Sequence, residues 1–215
     1  LDNTLVVMIS DNGVPMPNAK TTLYDSGVHL PMIARAPAMK QGVVSKAMVS
    51  FADLVPTFFD WAQLDASASA RLPGRSVLPL LGQTDSTDRD RVYLSHTFHG
   101  VPMYYPMRGV RTRRYKYIRN LFPELTFPHA SDLFGSPTWQ AYKQLPKGTP
   151  YGKRDMEAYL HRPAEELYDI SSDPDEVVNL AGQSANRPAL EELRADVAAF
   201  RKSTGDPWLA WEQQR

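Results

Sequence analysis

A short apolar run that ends in a tight turn is the feature that most constrains how this chain folds. Residues Leu5–Ile9 form a continuous apolar run, which is typical of a strand buried on both faces in a sheet that helices cover. The run stops at Ser10, Asp11, Asn12 and Gly13, which are all turn-forming residues. The sequence therefore predicts an α/β domain in which polar side chains directly follow a buried strand.

Asp11 and Asn12 are candidate metal ligands. In open α/β sheets, ligands bind outside the carboxyl ends of the strands. An Asp carboxylate beside an Asn carbonyl offers two adjacent hard oxygen ligands for Ca²⁺, or alternatively for Mg²⁺. Gly13 permits the tight backbone that this adjacency needs. Since the same residues are also the commonest turn formers, a turn without a metal is the alternative interpretation.

A helix is predicted from residue 53 onwards. Asp53 is a suitable N-cap, and Val55, Phe58, Phe59 and Ala62 share one face at helical spacing. This pattern predicts an amphipathic helix.

The second half of the chain has a different pattern. Residues 65–90 are rich in Ser, Pro, Gly and Asp, which indicates a connection between two structural units. Short strand-like runs follow and predict an antiparallel sheet, and a helix near 188–202 closes the chain. The predicted strands are Val92–His96, Met107–Thr112, Tyr115–Arg119 and Glu166–Ile170.

Composition excludes several classes of function. The 24 basic and 24 acidic residues give a net charge of zero, so no overall field attracts nucleic acid or an anionic membrane. No stretch approaches the roughly 18 apolar residues that a membrane span needs. The chain has no cysteine, which excludes disulfides, Cys-ligated metal and a Cys nucleophile within it.

The segment that follows the first strand resembles the signature of the sulfatase family. In that signature a strand leads into Asp-Asn-Gly, a short loop, a Lys, then Leu-Tyr-acidic-x-Gly and a strand between prolines. Here the Lys is Lys20 and the second motif spans Leu23–Gly27. Later segments resemble later parts of the family in the same order. They are Val49–Thr57, Gly74–Leu81, Val110–Tyr117, Glu166–Asp169 and Asn179–Ala181.

Several stretches are similar to one branch of that family, the sulfamidases. They include Asp11–Pro17, Tyr105–Arg108 and Asp206–Trp208. Members of this branch remove the N-sulfate from glucosamine at the end of heparan chains. The resemblance therefore implies a sulfated sugar as the substrate.

The resemblance also implies a fold and a division of the chain. Residues 1–88 would be the C-terminal part of a sulfatase-type α/β catalytic domain. Residues 89–215 would form a small α+β domain with an antiparallel sheet and a C-terminal helix.

The same resemblance implies the chemistry of the site. Asp11 and Asn12 would bind Ca²⁺, and Lys20 would contact the sulfate as a catalytic residue. The nucleophile of the family is a formylglycine made from a Cys/Ser-x-Pro-x-Arg motif, which this sequence lacks. The chain would thus supply one wall of the site. The alternatives are another O-sulfatase, a phosphonate or phosphate monoester hydrolase of the superfamily, or a non-catalytic fragment.

Three further side chains are candidate substrate contacts. His96 and His99 follow a predicted strand, and an imidazole can act as a general acid or line a sugar pocket. The alternative is a polar loop at a sheet edge. Arg108 follows the sulfamidase-like Tyr-Pro-Met and could pair with a sulfate group, or it could lie on a solvated strand with local salt bridges.

Partners and location can also be predicted. We expect a homo-oligomer, because an apolar strand at an open sheet edge favours self-association. We expect no nucleic-acid partner. The sequence has no Asn-x-Ser/Thr glycosylation site, which favours a periplasmic or extracellular bacterial location over a lysosomal one.

Overall fold

A small two-stranded sheet begins the computed structural model, which describes residues 2–37, 39–65, 67, 69–86 and 88–212. Strand β1 (Val6–Ile9) pairs antiparallel with β2 (Met32–Arg35), with Ile9 opposite Met32. The short helix α1 (Asp25–Val28) lies in the connection between them. The apolar run is therefore a strand, and the polar turn follows its carboxyl end as predicted.

The burial predicted for β1 is wrong for this chain. Val6 is 42% exposed, Met8 48% and Ile9 38%. In the described part of the chain β1 pairs only with β2, so the sheet has two strands at this position.

Helix α2 (Leu54–Trp61) begins differently from the prediction. Asp53 is its N-cap residue as predicted, but the Asp53 side chain makes no capping hydrogen bond to α2, and a 3₁₀ turn at Phe51–Asp53 with Ser50 as its own N-cap precedes the helix. Asp53 accepts a hydrogen bond from the Ser50 backbone N–H at 3.0 Å, which completes a capping box. A 3₁₀ turn that the sequence pattern did not indicate therefore leads into α2.

The apolar face of α2 does not pack against the core of this chain. Val55 and Phe58 are exposed, whereas Pro56 and Thr57 are buried. Thr57 Oγ1 accepts from the Val77 backbone N–H at 2.9 Å, so the 65–90 connection covers the polar side of the helix. That connection contains no α-helix or strand in its described residues, apart from a 3₁₀ turn at Leu78–Leu80.

The antiparallel sheet predicted for the second half is confirmed. Its order is β3-β4-β5-β6, and each neighbouring pair is antiparallel. The four strands are β3 (Arg91–Phe98), β4 (Tyr104–Thr112), β5 (Tyr115–Asn120) and β6 (Glu165–Asp169).

Both faces of this sheet are buried. On one face Val110, Tyr117 and Leu167 pack with Leu193 and neighbouring apolar residues of α6 (Arg187–Ser203). This confirms the predicted C-terminal helix and its apolar stripe. A further short helix, α7 (Trp208–Glu212), follows it.

The other face forms a core with segments from both ends of the sequence. Met107 and Ile118 pack there with Leu23 and Tyr24 from the first segment. Phe127 and Leu133 add a covering layer that leads into α3 (Ser131–Phe134), α4 (Pro137–Tyr142) and α5 (Met156–Leu160). The loop before α1 is buried against the second sheet. The division of the chain into two domains at residue 88 stays a prediction.

None of the helices in the described residues is long and apolar enough to span a membrane.

Candidate functional site

The candidate site lies in the turn at the end of β1. The Asn12 backbone N–H donates to Asp11 Oδ1 at 2.9 Å, and Ser10 Oγ donates to the Asn12 carbonyl oxygen at 3.1 Å. The Gly13 N–H donates to the Gly27 carbonyl oxygen at 3.1 Å. A Cβ at Gly13 would lie 2.3 Å from the Ser26 carbonyl oxygen, so a close approach of two backbone segments requires glycine there.

Asp11 and Asn12 carry side-chain oxygens of the kind that bind Ca²⁺. The Asp11 side chain is exposed. The Asn12 amide nitrogen Nδ2 donates to the Gly13 carbonyl oxygen at 2.9 Å, which leaves the amide oxygen as the atom for a metal. This donor chemistry fits part of a calcium shell, which takes six to eight oxygens. Among the described residues, no cluster of three or more His, Cys, Asp or Glu side chains could hold a metal alone.

Lys20 is held in place at both its backbone and its side chain. Its N–H donates to the Val14 carbonyl oxygen at 3.2 Å. Its neighbours Asn18 and Thr21 have positive φ angles of 62° and 70°, a conformation that costs energy outside glycine. The ammonium Nζ lies 2.5 Å from Asp132 Oδ2, at the start of α3. Lys20 and the Asp11-Asn12 turn therefore belong to one loop with a fixed backbone.

Residues of the second half hold this loop. Asn18 Nδ2 donates to the Tyr151 carbonyl oxygen at 2.8 Å, and Arg154 Nε donates to Asn18 Oδ1 at 3.2 Å. The Tyr24 hydroxyl, which is buried, donates to Glu166 Oε2 at 2.8 Å. These contacts connect sequence positions more than 100 apart, and no local sequence signal points to them.

A buried charge cluster anchors the end of the loop. Asp25 lies 2.5 Å from Lys116 Nζ and 2.9 Å from Arg111 Nη2, and Glu176 lies 2.8 Å from the same Lys116. Burial by itself would raise the pKa of Asp25, but Lys116 and Arg111 outweigh it and lower this pKa to about 2. Glu176 is more deeply buried than Asp25. Its burial outweighs the attraction of Lys116 and raises the pKa of Glu176.

His96 has a lowered pKa in this structure. Burial, and then the positive charge of Arg162, lower the pKa of His96 to about 4. The imidazole is therefore neutral at pH 7. His99 is exposed in the loop after β3. Within the described part of the chain, no hydrogen bond or ion pair joins either histidine to Asp11, Asn12 or Lys20.

Arg108 is placed in a buried ion pair. Its Nε donates to Asp206 Oδ2 at 2.9 Å and its Nη2 to Asp206 Oδ1 at 3.2 Å. Its Nη1 donates to the His96 and Met107 carbonyl oxygens, and the guanidinium lies over the Trp208 ring at 4.9 Å. A sulfate contact needs an exposed guanidinium, whereas the Arg108 guanidinium is buried in this structure. It joins the sheet to the C-terminal segment.

Comparison with known proteins finds consistent similarities. Residues 18–132 match the family model described as N-sulphoglucosamine sulphohydrolase, C-terminal. The human protein named N-sulphoglucosamine sulphohydrolase is 37% identical over 220 aligned residues, which cover 97% of this chain and 43% of the human protein. A Formosa agariphila protein named ulvan-active sulfatase is 32% identical, covering 95% of this chain and 39% of its own length.

A solved structure shows the same fold. It is the structure of a protein in complex with its substrate D-glucosamine-2-N,6-O-disulfate, with a TM-score of 0.64 and 22% identity. The match covers 95% of this chain and 35% of that one. The chain thus spans less than half the length of the curated relatives that it matches.

Proposed function

The chain belongs to the N-sulphoglucosamine sulphohydrolase C-terminal family of the sulfatases, and on that premise we propose that the whole protein is a calcium-dependent sulfatase. Its substrate would be N-sulfated glucosamine of a heparan-type glycan, and its products free sulfate and the amine. The identity of 37% with the human sulphohydrolase over nearly the whole chain supports this substrate over an O-sulfate.

One structural observation carries the proposal. Asp11, Asn12 and Lys20 lie in a single loop whose backbone is fixed by contacts at Gly13 and Lys20. Two hard oxygens and one ammonium in such a loop suit a divalent cation and a sulfate group together.

Each residue would have a separate task. A bound Ca²⁺ would polarise the sulfate and hold the hydrated aldehyde nucleophile, a formylglycine supplied from outside this chain. Asp11 and Asn12 would each contribute one oxygen ligand. The Lys20 ammonium would donate to a sulfate oxygen and stabilise the negative charge that develops in the transition state. We infer that residues 1–215 alone release no sulfate, since they include no nucleophile of this kind.

We further propose that the protein works in the periplasm or outside a bacterial cell, because the sequence has no Asn-x-Ser/Thr site.

Substitutions at Asp11 and Lys20 test the site. In the full-length protein we expect Asp11→Ala and Lys20→Ala each to lower kcat/KM for sulfate release by at least about 100-fold, as for other removed charge-stabilising groups. Circular dichroism and the melting temperature should stay close to wild type, since Asp11 is exposed.

The controls are Asp65→Ala and Lys153→Ala, which change exposed residues outside this loop. Both control variants should keep wild-type activity. Full retention of kcat in Asp11→Ala or Lys20→Ala would refute the assignment of that residue.

A further inference from the structure

We propose that Asp132 is a positioning residue for Lys20, whose carboxylate holds the ammonium in the orientation in which it binds a sulfate group. This inference rests on the proposed function, since it assigns a second residue to the sulfate contact made by Lys20.

The contact joins two parts of the chain that are far apart in sequence. Lys20 Nζ donates to Asp132 Oδ2 at 2.5 Å across 112 sequence positions. The Lys20 side chain is 16% exposed, and that of Asp132 is 43% exposed. The ion pair therefore lies at the surface, where an anion from solvent can reach the ammonium.

The Asp132 carboxylate is itself fixed. Its second oxygen, Oδ1, accepts from the Leu133 backbone N–H at 3.0 Å, which leaves Oδ2 directed to Lys20. On either side of it, Ala130 and Leu133 are fully buried in the core. The carboxylate is thus carried by a rigid segment, which a positioning group requires. The hydrogen bond from Lys20 also lowers the pKa of Asp132, so the Asp132 carboxylate stays ionised at neutral pH.

The ammonium retains donors for a ligand. A lysine ammonium has three N–H donors, and Asp132 Oδ2 accepts from one of them. Two donors can then point to sulfate oxygens from a fixed nitrogen position. Without Asp132, the four-carbon side chain would sample many rotamers and lose that freedom on binding.

A double-mutant cycle in the full-length protein tests the proposal. The four proteins are wild type, Lys20→Met, Asp132→Asn and the double variant, and two quantities are measured. The first is kcat/KM for sulfate release from N-sulfated glucosamine, and the second is the Kd of inorganic sulfate by calorimetry. We expect Asp132→Asn to weaken both about tenfold in the wild-type background, because the ammonium is no longer oriented. In the Lys20→Met background, the Asp132→Asn substitution should change neither kcat/KM nor the sulfate Kd.

Two further variants sharpen the test. Asp132→Glu keeps a carboxylate and should recover most of kcat/KM. Asp175→Asn is the matched control, because Asp175 also accepts from a lysine, Lys153, at 2.5 Å, but in a more exposed pair. It should leave both quantities at their wild-type values.

Several results would overturn the positioning role. Equal losses in both backgrounds would show that Asp132 acts only on the fold, and unchanged values would show no role. Tighter sulfate binding in Asp132→Asn would show that the carboxylate competes with the anion. If wild type released no sulfate, the proposed function would fail, while the sulfate Kd cycle would still decide on Asp132. A wild type that neither releases nor binds sulfate would defeat both.

Discussion

At the residue scale, one side chain can satisfy several contacts, and Asp53 is the clearest case. This carboxylate is 5% exposed. It accepts from the Ser50 and Arg75 backbone N–H groups at 3.0 and 2.7 Å and from Arg89 Nη1 at 3.2 Å. Arg89 in turn donates to the Arg75 and Ser76 carbonyl oxygens. Asp53 therefore fixes the start of α2 against the connection that leads into β3.

We expect Asp53→Ala to be strongly destabilising. Removing one partner of a buried ion pair leaves Arg89 without its counter-charge, which costs about 3–5 kcal/mol of unfolding free energy. Differential scanning calorimetry of the full-length protein should show a clearly lower melting temperature. The control is Asp88→Ala, which removes the exposed partner of Arg75 and should leave the melting temperature nearly unchanged. Equal melting temperatures for the two variants would contradict this account of α2.

At the element scale, buried charges hold the loop before α1 against the second sheet. Asp25 begins α1, Lys116 and Arg111 come from β5 and β4, and Glu176 follows β6. A buried network of this kind stabilises a fold only while every charge has its partner. The orientation of the loop that carries Lys20 thus depends on the ionisation of Asp25.

This dependence predicts a pH effect. The pKa of Asp25 falls from its ordinary 3.8 to about 2 in the folded protein. A carboxyl with a lowered folded pKa stabilises the fold above its unfolded pKa and loses that contribution as the pH falls towards the folded value. Asp25→Asn should therefore melt at a lower temperature than wild type at pH 6. That difference should narrow between about pH 4 and about pH 2.

The control Asp175→Asn, in an exposed pair with Lys153, should differ little from wild type at every pH. A difference between Asp25→Asn and wild type that stays constant down to pH 2 would contradict the contribution assigned to Asp25.

The elements of this fold could be predicted where the information is local. The strands β3 to β6 and the stripe Leu190, Leu193 and Val197 of α6 follow from alternation and helical spacing, because these residues are buried by their own unit. The Asp11-Asn12-Gly13 turn was also visible in the sequence.

The rest depends on contacts between distant residues, which a single sequence does not specify. Arg108 reaches Asp206 across 98 positions, and Lys20 reaches Asp132 across 112. The local sequence around a basic residue on a predicted strand is the same whether that residue binds a ligand or an aspartate of the same chain. The sequence predicts Arg108 as a sulfate contact because it follows the sulfamidase-like Tyr-Pro-Met, whereas in the structure four of its guanidinium N–H groups donate to Asp206 and to backbone carbonyl oxygens.

At the scale of the whole molecule, two apolar surfaces stay exposed among residues 2–212 as far as the structure describes them. One is on the first sheet, where Met8 and Ile33 are exposed, and the other is on the side of α2 that carries Phe51, Val55 and Phe58. Apolar strands and helix faces of this kind normally pack inside a larger domain. The relatives, which are more than twice as long as the matched region, include additional sequence that could cover them.

We therefore expect residues 1–215 alone to self-associate. Size-exclusion chromatography with light scattering should show species larger than a monomer, because open sheet edges and apolar patches promote association. Replacing both Phe51 and Phe58 by Ser should shift the distribution towards monomer. Val178→Ser, at an exposed position elsewhere, should not. A clean monomer for the unmodified chain would contradict this prediction.

The proposed substrate is tested most directly by measuring which sugar releases its anion. The full-length protein would be incubated with Ca²⁺ and with N-sulfated, 6-O-sulfated or 6-phosphorylated glucosamine, and free anion would be measured over time. We predict sulfate release from the N-sulfated sugar at a kcat/KM well above that for the other two. Preferential release of phosphate, or of sulfate from the 6-O position, would contradict the account.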